Sequence, residues 1–172
     1  MTRLFLHLAL STVLLAQAPQ PAPEKELASI DGLMRALYAT LSGPKGQPRD
    51  VSRYKAFFVP GARITARRLR KDGRPGLVVM DLDDFASKSL GWMEAHGFYE
   101  RELGRKVEQW GGVAQVWSSY SSGSTPDLPA SLGRGINALS LVNDGQRWWI
   151  AGVSVGEESE GNPLPALPTL TR

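Results

Sequence analysis

The chain has 172 residues, of which 42% are hydrophobic and 22% charged, with a formal net charge of +3. That is the size of one domain and the composition of a globular protein, not of a disordered or collagen-like one. It has no Cys, which excludes disulfides, zinc–thiolate sites, thiol nucleophiles and a lipoprotein anchor. So small an excess of base gives no reason to expect nucleic acid as a partner.

Residues 1–18 read as a secretory signal peptide: Arg3, an apolar run over 4–15 too short to span a bilayer, then small residues. Cleavage falls after Ala16 or Ala18; Ala16-Gln17-Ala18 fits the A-x-A pattern, but Pro19 would hinder the peptidase. The alternative is an uncleaved N-terminal anchor. On the signal-peptide reading the mature protein is exported, either periplasmic or secreted. It then keeps no stable membrane anchor, because no later run approaches ~20 apolar residues. His96 becomes its one histidine.

Residues 19–25 form a Pro-rich spacer. Leu27, Ile30, Met34, Leu37, Tyr38 and Leu41 then recur every three or four residues, which predicts one helix over 24–41, stopped by Ser42-Gly43-Pro44. A short helix is expected over 51–58, and strands over 63–69 and 77–80 joined by a turn over 71–76. Asp81 as N-cap with Asp84 three residues on predicts a helix over 81–95, with Gly97 at its C′ position. From Phe98 the period becomes two, giving strands over 98–109 and 111–122 and a Ser- and Pro-rich loop to 133.

The last hairpin is the most informative stretch. Two apolar runs flank Asp144-Gly145, the dipeptide favoured by a two-residue type I′ turn. In that register Leu141 faces Trp148, Leu139 faces Ile150, and Asn137 lies beside Gly152, all on the face turned toward the helices. Trp149 and Val153 fall on the other face, which offers a homodimer interface or a bed for the tail. Residues 158–172 form a Pro-rich tail. Helices first and a strand meander after predict an α+β fold with helices packed on one face of an antiparallel sheet.

Several segments resemble the nuclear transport factor 2-like (SnoaL-like) superfamily: Phe58-Val59-Pro60-Gly61-Ala62, the strands around Gly97-Phe98-Tyr99-Glu100-Arg101-Glu102 and 113–120, and Asp144-Gly145-Gln146-Arg147-Trp148-Trp149-Ile150. The resemblance covers residues 26–157 as one domain. It implies a cystatin-like roll: a cone-shaped, strongly curved antiparallel sheet wrapped around the N-terminal helices, with a pocket at the open end. It implies little chemistry, because the superfamily includes steroid isomerases, cyclases, dehydratases, transport adaptors and exported proteins of other kinds.

Candidate pocket residues carry two readings each. Glu100 and Glu102, two apart on one strand, either face solvent beside Arg101 or Arg105 or place two carboxylates in an apolar pocket, where one would titrate high and act as acid or base. His96 either caps the helix end before Gly97 or contacts a ligand. Asp31 borders the first helix's apolar stripe, as a solvated rim residue or as a pocket carboxylate. Tyr38, Tyr54, Trp92 and Tyr120 are core aromatics or pocket walls. Asn137 is an amide among Leu139, Leu141 and Ile150, so burial would demand hydrogen-bond partners from protein or ligand. Six Arg and Lys over 63–74 read as a solvated hairpin tip or a contact for an acidic surface. No cluster has metal-ligand spacing, and no cofactor is expected. Three functions follow: an exported binder of a small apolar molecule without turnover, an isomerase-, dehydratase- or cyclase-type enzyme with a carboxylate base, or a dimerising interaction module.

Overall fold

A computed structural model describes residues 24–69, 72–127 and 130–168, so the signal-peptide reading and most of the spacer lie outside the described residues. Among them no helix is long and apolar enough to cross a membrane. The chain runs α1 (Glu24–Leu27), α2 (Ile30–Leu41), α3 (Val51–Lys55), β1 (Phe58–Leu69), β2 (Pro75–Met80), α4 (Leu82–Phe85), a π-helical turn (Ala86–Leu90), α5 (Gly91–His96), β3 (Tyr99–Trp110), β4 (Val113–Gly123), β5 (Gly133–Asn143) and β6 (Trp148–Glu157). The six strands form one sheet in the order β2-β1-β6-β5-β4-β3, with β2 and β3 at its edges. The α+β class holds, with one departure from an antiparallel sheet. β1 and β6 run parallel, because the chain enters the sheet at β1 and returns beside it only after the β3–β6 meander.

The single helix expected over 24–41 is two. Ser29 is extended and its Oγ accepts the Gly32 N–H at 3.0 Å, so α2 starts anew there with a side-chain cap. Gly32 is required by the fold-back: a Cβ there would sit 1.7 Å from the Glu26 carbonyl oxygen. α2 then buries Leu33, Met34, Leu37, Tyr38 and Leu41 against the sheet. Leu139 and Ile150 are fully buried opposite them and Trp148 nearly so, as the hairpin pattern predicts. Each such large apolar side chain contributes roughly 1.5–3 kcal/mol.

The hairpin's register differs from the two-residue turn. Asn143 pairs with Trp148 across a four-residue loop, because Asp144 gathers that loop onto its own carboxylate: Oδ1 accepts the Gln146 and Arg147 N–H groups, both at 2.9 Å, and Oδ2 accepts Trp149 Nε1 at 2.7 Å. These bonds hold the Asp144 carboxyl down at about 2. Leu141 therefore faces Ile150, and a bulge at Ala151 shifts the pairing again, so that Leu139 faces Val153 and Asn137 faces Val155. Val153 thus turns toward the helices, not away from them. Trp149 stays on the outer face, capped by the Arg147 guanidinium 3.7 Å from its ring centre.

Arg49 joins the helical layer to the sheet. Its Nε donates to the Leu41 carbonyl (2.9 Å) and its Nη2 to Gly43 (2.7 Å), while Nη1 reaches Gln47 (2.7 Å). Gly43 in turn bridges Phe98, at the entry to β3. Farther along the strand the tail covers part of its open edge, where the Arg105 N–H donates to the Pro168 carbonyl at 3.0 Å. Arg49→Ala should destabilise the fold by about 2–4 kcal/mol, since it strands buried carbonyls, and Arg49→Lys should recover only part of that. Urea unfolding of the three proteins measures both.

Candidate functional site

One face of the sheet, with α2, α3 and the α4–α5 segment over it, encloses a cavity of about 700 Å³. Its walls are apolar: Leu37 and Leu41 from α2, Phe58 and Ile64 from β1, Met93 from α5 and Val153 from β6. Among the polar residues that line it, Glu100 (β3), Tyr120 (β4) and Asn137 (β5) come from neighbouring strands. Pairing explains why they meet. Glu102 lies opposite Tyr120, Tyr120 opposite Gly135 and Asn137 opposite Ser118, so alternate residues of β3, β4 and β5 share this face. Gly135 is needed for the arrangement. A Cβ there would stand 2.5 Å from the Tyr120 hydroxyl and 2.2 Å from the Gly156 carbonyl oxygen.

Behind the cavity runs a buried chain of hydrogen bonds. Asn137 Nδ2 donates to Glu100 Oε1 (3.4 Å) and to the Tyr38 hydroxyl (3.3 Å). Tyr38 lies 2.7 Å from Ser118 Oγ, and Ser118 donates to Glu102 Oε1 at 2.5 Å. Glu102 Oε2 accepts from Arg105 Nη2 at 2.9 Å, and Arg105 Nη1 reaches Asp31 Oδ1 at 2.9 Å. Directions follow from proton count. Ser118 spends its one proton on the Glu102 carboxylate, so Tyr38 must donate to Ser118, and the Tyr38 oxygen is left to accept from Asn137.

The two glutamates differ sharply. Glu102 and Arg105 have side chains only 7% exposed and pair with one another. Burial lifts Glu102 above the usual carboxyl range, while Ser118 and Arg105 pull it back. Glu100 has no ion pair among the described residues, and burial against only the weak Asn137 bond pushes its carboxyl up from 4.5 to about 7. Glu100 acts in turn on its neighbours. Burial and the nearby Glu100 carboxyl push Tyr120 up to about 12, and burial first, then Glu100, raises Tyr38 and Tyr54 as well.

The structure brings Glu100, Tyr120, Asn137, Tyr54 and Trp92 to the cavity wall, and places Tyr38 and Glu102 in the chain behind it. Asp31 is at the surface, its side chain 73% exposed, as Arg105's outer partner. His96 lies outside the cavity. Its Nδ1 is 2.9 Å from the Trp92 carbonyl and its ring stacks on Trp92 at 4.6 Å, which is the helix-end position. Within the basic hairpin, Arg68 pairs with Glu157 at the cavity mouth, and Arg134 pairs with Glu158 nearby. Arg70 and Lys71 lie outside the described residues. Sequence reading missed Ser118 and Arg105 as site residues. Ser118 was legible as a small polar residue on the same alternation as Val116 and Tyr120. Arg105 was not, because a bulge at Leu103 is needed to turn it to the side of Glu102. Among the described residues no acidic or histidine cluster could hold a metal ion.

No protein-family model and no curated protein matches the sequence. Solved structures do. A nuclear transport factor 2-like protein from Shewanella baltica gives a TM-score of 0.49 at 10% identity, over 74% of this chain and 90% of its own. A protein of unknown function from Mycobacterium tuberculosis aligns with a TM-score of 0.57 at 16% identity, over 80% and 79%. One of unknown function with a cystatin-like fold from Nostoc punctiforme aligns with a TM-score of 0.55 at 11% identity, over 74% and 87%. The likeness to the Nostoc punctiforme protein shows that the chain has a cystatin-like fold, the fold that its sequence resemblance implies.

Titration of Glu100 has a defined sign. Its folded pKa of about 7 lies above the usual 4.5, so the folded state holds a proton that the unfolded chain has lost between those values, and stability falls as pH rises across that window. Glu100→Gln should therefore stabilise the protein at pH 8 by up to about 3 kcal/mol and change little near pH 4, since each tenfold difference in proton affinity is worth about 1.4 kcal/mol. Denaturant unfolding at the two pH values checks it.

Proposed function

We propose that this is an exported small-molecule-binding domain whose cavity takes a small, largely apolar molecule with one polar group directed at Glu100; no turnover is assigned. One observation carries the reading. A cavity of about 700 Å³, within the range of ligand pockets, has largely apolar walls and reaches a carboxyl that, among the described residues, receives a single side-chain hydrogen bond of 3.4 Å. Export rests on the character of residues 1–18. The outer face of the sheet exposes Trp110, Val113 and Trp117, a patch that fits a second copy of the chain and supports a homodimer.

A specific observation favours a second reading. A carboxyl titrating at about 7, beside the Tyr120 hydroxyl, is poised as a general base for an isomerase-, dehydratase- or cyclase-type reaction, with Tyr120 donating a hydrogen bond. Both readings use the same cavity wall.

Native mass spectrometry of the purified mature protein tests the binding reading. The expected result is a dimer carrying a small-molecule adduct, and Val153→Trp, which fills the cavity, should remove the adduct while circular dichroism stays unchanged. A wild-type protein that carries no adduct and also takes up no apolar fluorophore would sink it.

A further inference from the structure

We propose that the molecule held in this cavity is an apolar organic cation, an amine on an apolar body, with the Glu100 carboxylate as its counter-ion. The inference rests on the binding reading above and names its ligand class.

The charges around the cavity are matched with one exception. At the mouth, Arg68 pairs with Glu157, Arg134 with Glu158 and Lys88 with Asp84. None of these bases is left over for an anionic ligand. Glu158 has a further duty, accepting the Leu164 N–H at 3.0 Å. Deeper in, Glu100 faces Asn137, Tyr120, Tyr38 and Tyr54, all neutral, and the next charge beyond them, Glu102, is already answered by Arg105. Among the described residues, Glu100 is thus the one acid of the cavity wall without a cation.

A neutral ligand donor would satisfy one lone pair of Glu100. A protonated amine supplies both the donors and the missing charge, and the Coulomb attraction between the two charges is strong in a buried, low-dielectric site. The walls suit such a guest. Tyr54, Phe58, Phe85, Trp92 and Phe98 line the cavity, and aromatic faces attract a cation while burying its hydrocarbon. A carboxylate or phosphate ligand would instead meet Glu100 head-on and would have to break mouth ion pairs to find a base.

Calorimetry at pH 8 with three probes that share one rigid apolar body tests this: adamantylamine, adamantanol and adamantane carboxylate. The amine should bind at least about tenfold more tightly than the alcohol, and the carboxylate most weakly. Glu100→Gln should bring amine and alcohol to equal affinity, whereas Asp83→Asn, an exposed acid outside the cavity, should keep the preference. Equal affinities, or a preference for the carboxylate, in the wild-type protein would overturn the cation assignment and leave the binding reading standing. No binding by any of the three would overturn both.

Discussion

The ion pair between Glu102 and Arg105 decides what the rest of the site can be. Two glutamates stand two residues apart on one face of β3, and both are lifted by burial. An unpaired charge in such a place costs several kcal/mol, and among the described residues one arginine reaches the pair, through Glu102. Glu102 therefore takes the charge, and its demand for donors runs backward along the chain. Ser118 turns its proton to Glu102, Tyr38 turns its proton to Ser118, and the Asn137 amide is left with its N–H groups aimed at Tyr38 and Glu100. The orientation of a cavity-wall amide is thus set by an ion pair outside the cavity. Among the described residues, Glu100, at the far end, receives one long side-chain hydrogen bond and no countercharge.

The backbone around Glu100 is held as firmly as its carboxyl is left free. Ser42, the C-cap residue of α2, accepts the Glu100 N–H at 3.0 Å, while its own hydroxyl donates to the Tyr38 carbonyl at 2.8 Å, so that it ties the end of α2 to β3. Arg49 ties the end of α2, through Leu41 and Gly43, to the segment that enters β3. A buried guanidinium with this many backbone acceptors is a rigid clamp. The strand cannot slide relative to the helix without breaking several charge-assisted bonds at once. Placement of the acid is therefore a property of the fold, and its protonation is set by its burial.

How much of this was readable in the sequence depends on whether strict periodicity held. Where it did, the reading was sound: the stripe of Leu27, Met34, Leu37, Tyr38 and Leu41, the Asp81 cap with its Asp84 N–H at 2.8 Å, and Leu139, Leu141, Trp148 and Ile150 on the buried face. Where the chain inserts one residue, alternation fails. The bulge at Ala151 turns Val153 inward, and the bulge at Leu103 turns Arg105 to the side of Glu102. Neither bulge has a local signal, because the extra residue is accommodated by pairing partners far along the chain. The two-residue turn at Asp144 failed for a different reason. Asp-Gly favours a tight turn as an isolated dipeptide, but the Asp144 carboxylate gathers the N–H groups of Gln146, Arg147 and the Trp149 ring once that ring is placed, and a wider loop satisfies them together. The parallel contact of β1 with β6 could not be read from any local pattern, since it joins residues some ninety positions apart.

Glu100 is the point at which fold and site part company. A fold selected for stability alone has no use for a buried carboxyl that loses stability as pH rises toward neutrality. Glutamine would keep the Asn137 contact without the charge, and leucine would extend the walls. The other buried polar side chains here each complete something: Arg49 answers carbonyls, Ser118 and Asn137 link neighbours, Glu102 answers Arg105. Among the described residues, the Glu100 carboxyl answers no cation. Natural sites keep such a residue where its missing partner comes from outside. On the binding reading proposed above, the stability withheld by the unanswered carboxyl is regained when a complementary group binds.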